Sequence, residues 1–282
     1  MNTPNEIRID NPQFLKKQPS IYDCFMLLGK SYLSYALLDE SHNLVLAVRH
    51  YDFKDQVIGK NDFDTIFGDK HLQKAKKFHL GIQSQKRTLV PTSLYDAETK
   101  NSYFKHQFEI EDNETIFEMP LPQQKVVSLF ALKNDSVAFL KNRLNNILFH
   151  DAAASVLKTY PQHSLDSSNS NLFLSISQEA TTITLYHQKK IYLHKSFPNL
   201  KEADILFVVL HSLSQFNIPT GEVDIHLHGE GTLVNDLNKV MTGRFASVTF
   251  LNRIHEISYP EELFAQPTHY FFNLFSLVSC VS

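Results

Sequence analysis

Residues Leu172–Phe197 read LFLSISQEATTITLYHQKKIYLHKSF. In the first run Leu172, Leu174 and Ile176 point one way and Ser175 and Ser177 the other. In the second, Ile183 and Leu185 oppose Thr182, Thr184 and Tyr186; in the third, Ile191, Leu193 and Phe197 oppose Tyr192, His194 and Ser196. Alternation of this kind, rich in β-branched and aromatic residues, is what a half-buried antiparallel strand needs. The breaks at Gln178-Glu179 and Gln188-Lys189 are short enough for hairpins. The stretch predicts a three-stranded meander.

Downstream, Asn199 stands three residues before Glu202, a capping-box-like start, and Leu206, Val209, Leu210 and Leu213 then recur at helical spacing as far as Phe216. Pro219 and Gly221 end that helix. Val223, Ile225 and Leu227 alternate into a Gly229-Glu230-Gly231 exit, and a second helix carries Leu233, Leu237, Val240 and Met241 up to a Gly243 C-cap. Phe245–Leu251 reads as a strand, and Pro267 precedes a closing apolar helical segment. Upstream, SLDSSNSN at residues 164–171 is polar and aperiodic, a linker. It divides the chain into domains at 1–163 and 164–282.

A looser copy of the plan opens the chain. Cys24, Met26 and Leu28 alternate with Phe25 and Leu27, Gly29-Lys30-Ser31 turns, Leu33, Tyr35 and Leu37 form a second strand, and Leu44, Leu46 and Val48 a third. A helix is expected over 62–77, a strand at Phe78–Ile82, a short helix opened by Pro91 ahead of Leu94 and Tyr95, an edge strand at Ile116–Met119 and a buried strand at Val126–Leu132. Asn134-Asp135 can cap a helix through Leu148, and Asp151 another through Tyr160. Residues 1–20, with Pro4, Pro12 and Pro19, read as a loose arm. Each half thus runs three antiparallel strands, helix, strand, helix, strand, helix: a mixed α/β layer, duplicated.

The composition suits an ordinary globule of one or two domains, with 282 residues, 43% hydrophobic and 20% charged. A formal charge of −3 gives no general attraction to nucleic acid or anionic membranes. MNTPNEIRID lacks the basic-then-apolar run of a signal peptide, and the apolar 271–281 segment is shorter than the ~20 residues of a spanning helix. Cys24 and Cys280, without ligand spacing, point to buried thiols in a reducing compartment, so a cytoplasmic location is expected. Only 8 residues are glycine, about half the usual share of roughly 7%, which counts against a rich phosphate-binding loop.

The duplicated βββαβαβα order, with a hairpin opening each half and a Gly-x-Gly strand exit, resembles the actin-like ATPase fold, a pair of ribonuclease H-like domains. The second half is similar to that of the pilus-assembly actin homologues. Thr88–Pro91 (TLVP), Leu94-Tyr95 and Tyr103, with His269-Tyr270-Phe271 through Leu274, Leu277 and Cys280, resemble a bacterial family of unknown function assigned this fold, domain of unknown function 3822. The resemblance implies three nucleotide loops. Two are hairpins with an Asp-x-Gly pattern, whose carboxylate serves Mg²⁺ or water and whose glycine admits the phosphates; a third, usually Gly-Gly, receives adenosine. Here the corresponding candidates are Gly29, Lys30 and Ser31; Ser177, Gln178 and Glu179; and Gly229, Glu230, Gly231 and Thr232. Neither hairpin keeps the carboxylate, and the electrostatic stabilisation that dominates phosphoryl transfer goes with it. The expectation is a binding or scaffold module working through a protein partner, with no cofactor and no support for ATP or Mg²⁺. The alternative is an unconventional ATPase or phosphotransferase using the interdomain cleft, with Glu179 or Glu40 replacing the lost aspartates.

Four other patterns invite sharper readings. Gly29-Lys30-Ser31 looks like the end of a P-loop, but the upstream glycine falls at Cys24 and a strand follows where a helix should. Asp224, His226 and His228 share one strand face, yet its ends lie roughly 13 Å apart, too far to share one ion. His150-Asp151 suggests acid–base chemistry, but Asp151 sits at a helix cap. Lys70, Lys74, Lys76, Lys77, Lys86 and Arg87 concentrate positive charge without a nucleic-acid module, as a solvated face does. No catalytic residue or metal ligand is assigned.

Overall fold

The computed structural model describes residues 4–12, 14, 21–39, 41, 43–54, 56–164, 168–198 and 200–280. Pro19, Glu40, Asn199 and the middle of the expected linker lie outside them. The chain divides into two compact units. The first comprises Met1–Lys158, His255–Ala265 and Leu277–Ser282, and the second Thr159–Ile254 and Gln266–Ser276. The second therefore opens at Thr159, ahead of the expected boundary after residue 163, and two late segments belong to the first.

The first unit runs β1 (Asn5–Asp10), β2 (Asp23–Leu28), β3 (Tyr32–Asp39), β4 (Leu44–Asp52), α1 (Lys60–Phe67), β5 (Phe78–Ile82), β6 (Arg87–Pro91), α2 (Lys100–Lys105), β7 (Glu114–Leu121), β8 (Val126–Lys133), α3 (Asn134–Lys141), β9 (Ile147–Asp151) and α4 (Ala152–Ser155). Its main sheet has the order β1-β4-β3-β2-β5-β9, and β6-β8-β7 form a separate three-stranded sheet. β2, β5 and β9 run parallel, while β3 is antiparallel to both its neighbours. The core on one face holds Cys24, Met26, Leu33, Tyr35 and Leu37, the residues whose alternation gave the meander, with Ile66, Phe67, Phe78 and Leu80.

Several expectations are corrected here. Part of the supposed arm is β1, paired antiparallel with β4 from Asn5↔Asp52 to Asp10↔Ala47. The buried Arg49 guanidinium fastens it, donating to Ile9 O at 3.0 Å and Asp10 Oδ1 at 2.6 Å. In β4 a bulge lets Leu37 face Ala47 and Leu38 face Val45. Two-fold alternation therefore breaks at Leu46, and Ala47 and Tyr51, not Val48, continue the core face.

The helix expected over 62–77 stops at Phe67. Gly68 donates to Asp64 O at 3.1 Å, and Asp69 caps the following turn through His71 N at 2.8 Å. Pro91 closes strand β6 and opens no helix, tolerated because β6 is an edge strand. The expected helix to Leu148 ends at Lys141, and Asn146, in the left-handed region at φ 51°, turns the chain into β9. β7 is an edge strand, as the sequence indicates, and β8 is buried, but both belong to the small sheet.

Asp151 is the knot of this unit. It caps α4 through Ala153 N at 3.1 Å, as expected, accepts from Ser128 Oγ of β8 at 2.6 Å, and lies 3.5 Å from Arg87 Nη1 of β6. All three partners converge on one carboxylate with no solvent exposure, binding the small sheet to the end of β9.

The second unit follows the remaining N-terminal turn α5 (Pro161–Ser164) with β10 (Ser170–Ile176), β11 (Ala180–His187), β12 (Lys190–Pro198), α6 (Glu202–Gln215), β13 (Val223–Gly229), α7 (Leu233–Met241), β14 (Ser247–Phe250) and α8 (Phe272–Ser276). Ser170 and Asn171, read as linker, already belong to β10. The meander forms as expected, and Gln188-Lys189, at φ 50° and 62°, makes a tight two-residue turn. Its sheet order is β12-β11-β10-β13-β14, with β10, β13 and β14 parallel. That repeats β4-β3-β2-β5-β9 of the first unit strand for strand. Leu172, Leu174, Ile176, Ile183 and Leu185 pack against Ile205, Val209 and Leu213 of α6 and Val234, Leu237 and Met241 of α7. Leu210, expected on that face, is exposed. The α6 start is closed by Asp204, which accepts from Lys201 N at 3.2 Å. Among the described residues no helix is long and apolar enough to cross a membrane.

Asp151→Ala removes the contacts with Ser128, Ala153 and Arg87 together and is expected to cost about 3–5 kcal/mol in urea unfolding. Lys86→Ala, which removes a partly exposed pair with Glu114, should leave the urea midpoint nearly unchanged.

Candidate functional site

In sheets with parallel strands, loops leaving their carboxyl ends collect ligands. In the second unit β10 and β13 are paired parallel up to Ile176↔Gly229. The Ser177–Glu179 and Gly229–Thr232 loops therefore leave side by side. The structure brings these two candidate segments together. Gly29, Lys30 and Ser31 form the β2–β3 turn of the other unit.

Gly229 has φ +118°, and a Cβ there would lie 1.8 Å from Ile176 O. Only glycine fits so close a backbone approach. Gly231, at φ +91°, faces open space. The amides around this point are committed: Ser177 N donates to Ala180 O at 3.0 Å, Gly229 N to His269 O at 3.0 Å, and Glu230 N to Ile176 O at 3.2 Å. Side chains close the loops further. Ser177 Oγ accepts from Ala180 N at 3.1 Å, and Ser175 Oγ donates to Asn273 Oδ1 of α8 at 2.9 Å. His269 Nδ1 donates to Gly229 O at 3.1 Å, and its ring stacks on Phe250 at 4.6 Å. Burial holds the His269 pKa below its ordinary value, with the Gly229 carbonyl opposing. Glu230 is buried, Gln178 and Thr232 are exposed, and no cation stands among the loop residues.

The first-unit turn is likewise built for packing. Gly29 N donates to Tyr32 O at 3.0 Å, closing the hairpin, while Phe53 N and Ile58 N donate to Ser31 O and Lys30 O, each at 2.8 Å. The Lys30 side chain is exposed. A depression lined by Phe53, Gln56, Val57, Gly59 and Lys60 and another by Phe67, Leu72, Phe78 and Arg143 include none of the turn's residues.

The remaining sequence candidates have internal partners. Asp224 accepts from Ser247 Oγ at 2.6 Å; His226 bonds Asn171 Oδ1 at 3.0 Å and stacks on Phe173; His228 Nε2 lies 2.8 Å from Tyr160 OH. Among the described residues no group of three His, Cys, Asp or Glu side chains is placed to hold an ion. Lys86 pairs with Glu114 at 2.7 Å and Arg87 with Asp151, so these two charges of the basic cluster are neutralised.

His150 extends a row the sequence did not reveal. His79 sits 3.3 Å from His150 Nε2 and 3.4 Å from Asp23 Oδ2, stacked on Phe25 at 4.7 Å. Asp23 and His79 have no solvent exposure, so the row belongs to the interior. Burial, then His79 and Lys158, lowers the His150 pKa to about 4; burial lowers buried His50 similarly to about 4, against Asp52. Sequence reading also missed His269 and Asn273 as the residues that close the paired loops. The His269-Tyr270-Phe271 signature was the available signal.

A family described as "Protein of unknown function (DUF3822)" matches residues 11–243. A Bacteroides thetaiotaomicron protein with actin-like ATPase fold and unknown function is similar in structure, with a TM-score of 0.69 and 16% identity, over 84% of this chain and 93% of that one. The PilM-PilN type IV pilus biogenesis complex includes a chain similar at a TM-score of 0.64 and 13% identity, over 94% of this chain and 100% of that one. At such identities the likeness establishes the fold, which is the actin-like ATPase fold. No curated protein matches the chain in sequence.

Gly229→Ala should cost at least about 3 kcal/mol or prevent folding, because the clash is with backbone. Gly231→Ala pays only for its left-handed conformation, about 1–2 kcal/mol; urea midpoints of the two variants compare them. His50 and His150 stay neutral when folded but take a proton near pH 6.5 when unfolded. Stability should therefore fall as pH drops from about 6.5 toward about 4, by about 2 kcal/mol per imidazole between pH 7 and pH 5. His150→Asn should flatten part of that dependence in urea melts.

Proposed function

This chain belongs to the family described as "Protein of unknown function (DUF3822)", and we propose that it is a binding or scaffold module that has kept the actin-like ATPase fold without ATP hydrolysis. The observation that supports this is the closure of the paired loops. The amides of Ser177, Gly229 and Glu230, which would have to turn toward a phosphate, donate to the protein's own carbonyls. The hydroxyls of Ser175 and Ser177 are engaged as well. Glu179 brings negative charge to the same place, and the buried Glu230 carboxyl stands beside it, where an anionic ligand would need a cation.

A module of this kind acts through a protein partner. The similarity to a chain from the PilM-PilN complex supports that reading by analogy of fold alone. Cys24 and Cys280, neither of them in a disulfide, suit a reducing cytoplasmic setting.

Thermal melts of the purified protein with millimolar ATP, ADP or GTP, with and without Mg²⁺, test the proposal. A ligand at a hundred times its Kd would stabilise the fold by about 2.7 kcal/mol; no shift is expected. Mg-ATP turnover that disappears in Lys30→Ala or Glu179→Gln would overturn it in favour of a nucleotide-dependent ATPase or phosphotransferase.

A further inference from the structure

Strand β12 is the outer edge of the second unit's sheet, 9 residues long. Among the described residues its backbone pairs with β11 alone. An edge strand presents a row of N–H and C=O groups that only water or another strand can satisfy. Between Glu179 and Glu202, the stretch of chain that forms this edge is basic. From Ala180 to Lys201 there is no Asp or Glu, whereas Lys189, Lys190, Lys195 and Lys201 fall in that span with His187 and His194. Lys190 and Lys195 are exposed on the strand itself.

The edge also carries an aromatic foothold. A bulge pairs Leu185 with Leu193 and Tyr186 with Ile191, leaving Tyr192 as the extra residue. Tyr192 is 40% exposed and meets the half-exposed Phe216, just past α6, edge-on at 5.3 Å; the His187 ring also meets Tyr192 edge-on, at 5.1 Å. The lysines discriminate between occupants. A second copy pairing antiparallel would set lysine strand against lysine strand, and like charges across a strand pair are destabilising. An acidic strand turns the same charges into favourable cross-strand pairs.

We propose that β12 is a docking edge for an extended, acidic peptide segment of a partner protein, added as a further strand. Carboxylates of the segment pair with Lys190 and Lys195, and an apolar residue between them covers Tyr192 and Phe216. Backbone bonds supply affinity and the charge pattern supplies selectivity. The inference gives chemistry to the partner in the reading above but does not use the paired loops. It therefore survives if those loops bind nucleotide, and its failure leaves the nucleotide melts unaffected.

Hydrogen–deuterium exchange of the full chain tests it, using a capped ten-residue peptide of alternating Glu and Val and a matched Lys and Val peptide. With the Glu peptide, exchange over residues 190–198 should slow by about tenfold, and high salt should remove the effect. The Lys peptide should leave that segment unchanged. In a Lys190→Glu, Lys195→Glu variant, shown by its melting curve to be folded, the preference between peptides should reverse. No slowing, or equal slowing by both peptides, overturns the proposal. So does slowing that follows protein concentration without peptide, which would assign the edge to a second copy. Protection of the same segment by single-stranded oligothymidylate and not by the Glu peptide would assign it to nucleic acid.

Discussion

Gly229 passes so near Ile176 that no other residue could stand there: a Cβ would meet the Ile176 oxygen at 1.8 Å. This contact fixes where the parallel pairing of β10 and β13 ends, and so where both loops of the second unit begin. It also draws Glu230 N onto Ile176 O and leaves Gly229 to exchange hydrogen bonds with His269 through both its N–H and its carbonyl. A glycine that in a nucleotide site would let a phosphate approach here lets the protein approach itself. The same geometry that preserves the fold thus consumes the polar groups a ligand would need.

The two units repeat one strand order but differ in what is added to it. The first carries β1 on its outer edge and a small sheet inserted between β5 and α3. Such an addition survives only if its polar seams are satisfied, and Asp151 does this for β6, β8 and α4 together. The second unit keeps the plain five-stranded sheet, and among the described residues β12 at its edge pairs on one side only. Extra structure protects one sheet's margin; basic residues occupy the other's.

Much of this was legible in the sequence where alternation was strong. The meander at Leu172–Phe197, the β2–β3 hairpin, the Gly-x-Gly exit and the Asp151 cap all follow from local patterns, and the family resemblance supplied the fold class. What escaped has physical reasons. NEIRID in β1 offers only two alternating apolar residues, Ile7 and Ile9, of which Ile9 alone is buried; Arg49, far along the chain, holds it. ILFHD in β9 is a short apolar run that periodicity cannot distinguish from a helix end. Bulges after Leu37 and Leu185 invert alternation midway through a strand. The state of the candidate loops depends on His269 and Asn273, 40 and 98 residues from their partners, so no local motif could show that they are closed.

Closure of those loops is the central claim, and amide-resolved hydrogen exchange by NMR reads it directly. The Ser177, Gly229 and Glu230 amides should exchange slowly in the unliganded protein, at rates that saturating Mg-ATP does not change. Fast exchange without nucleotide, together with strong protection once Mg-ATP is added, would contradict the claim and restore the loops as a phosphate site.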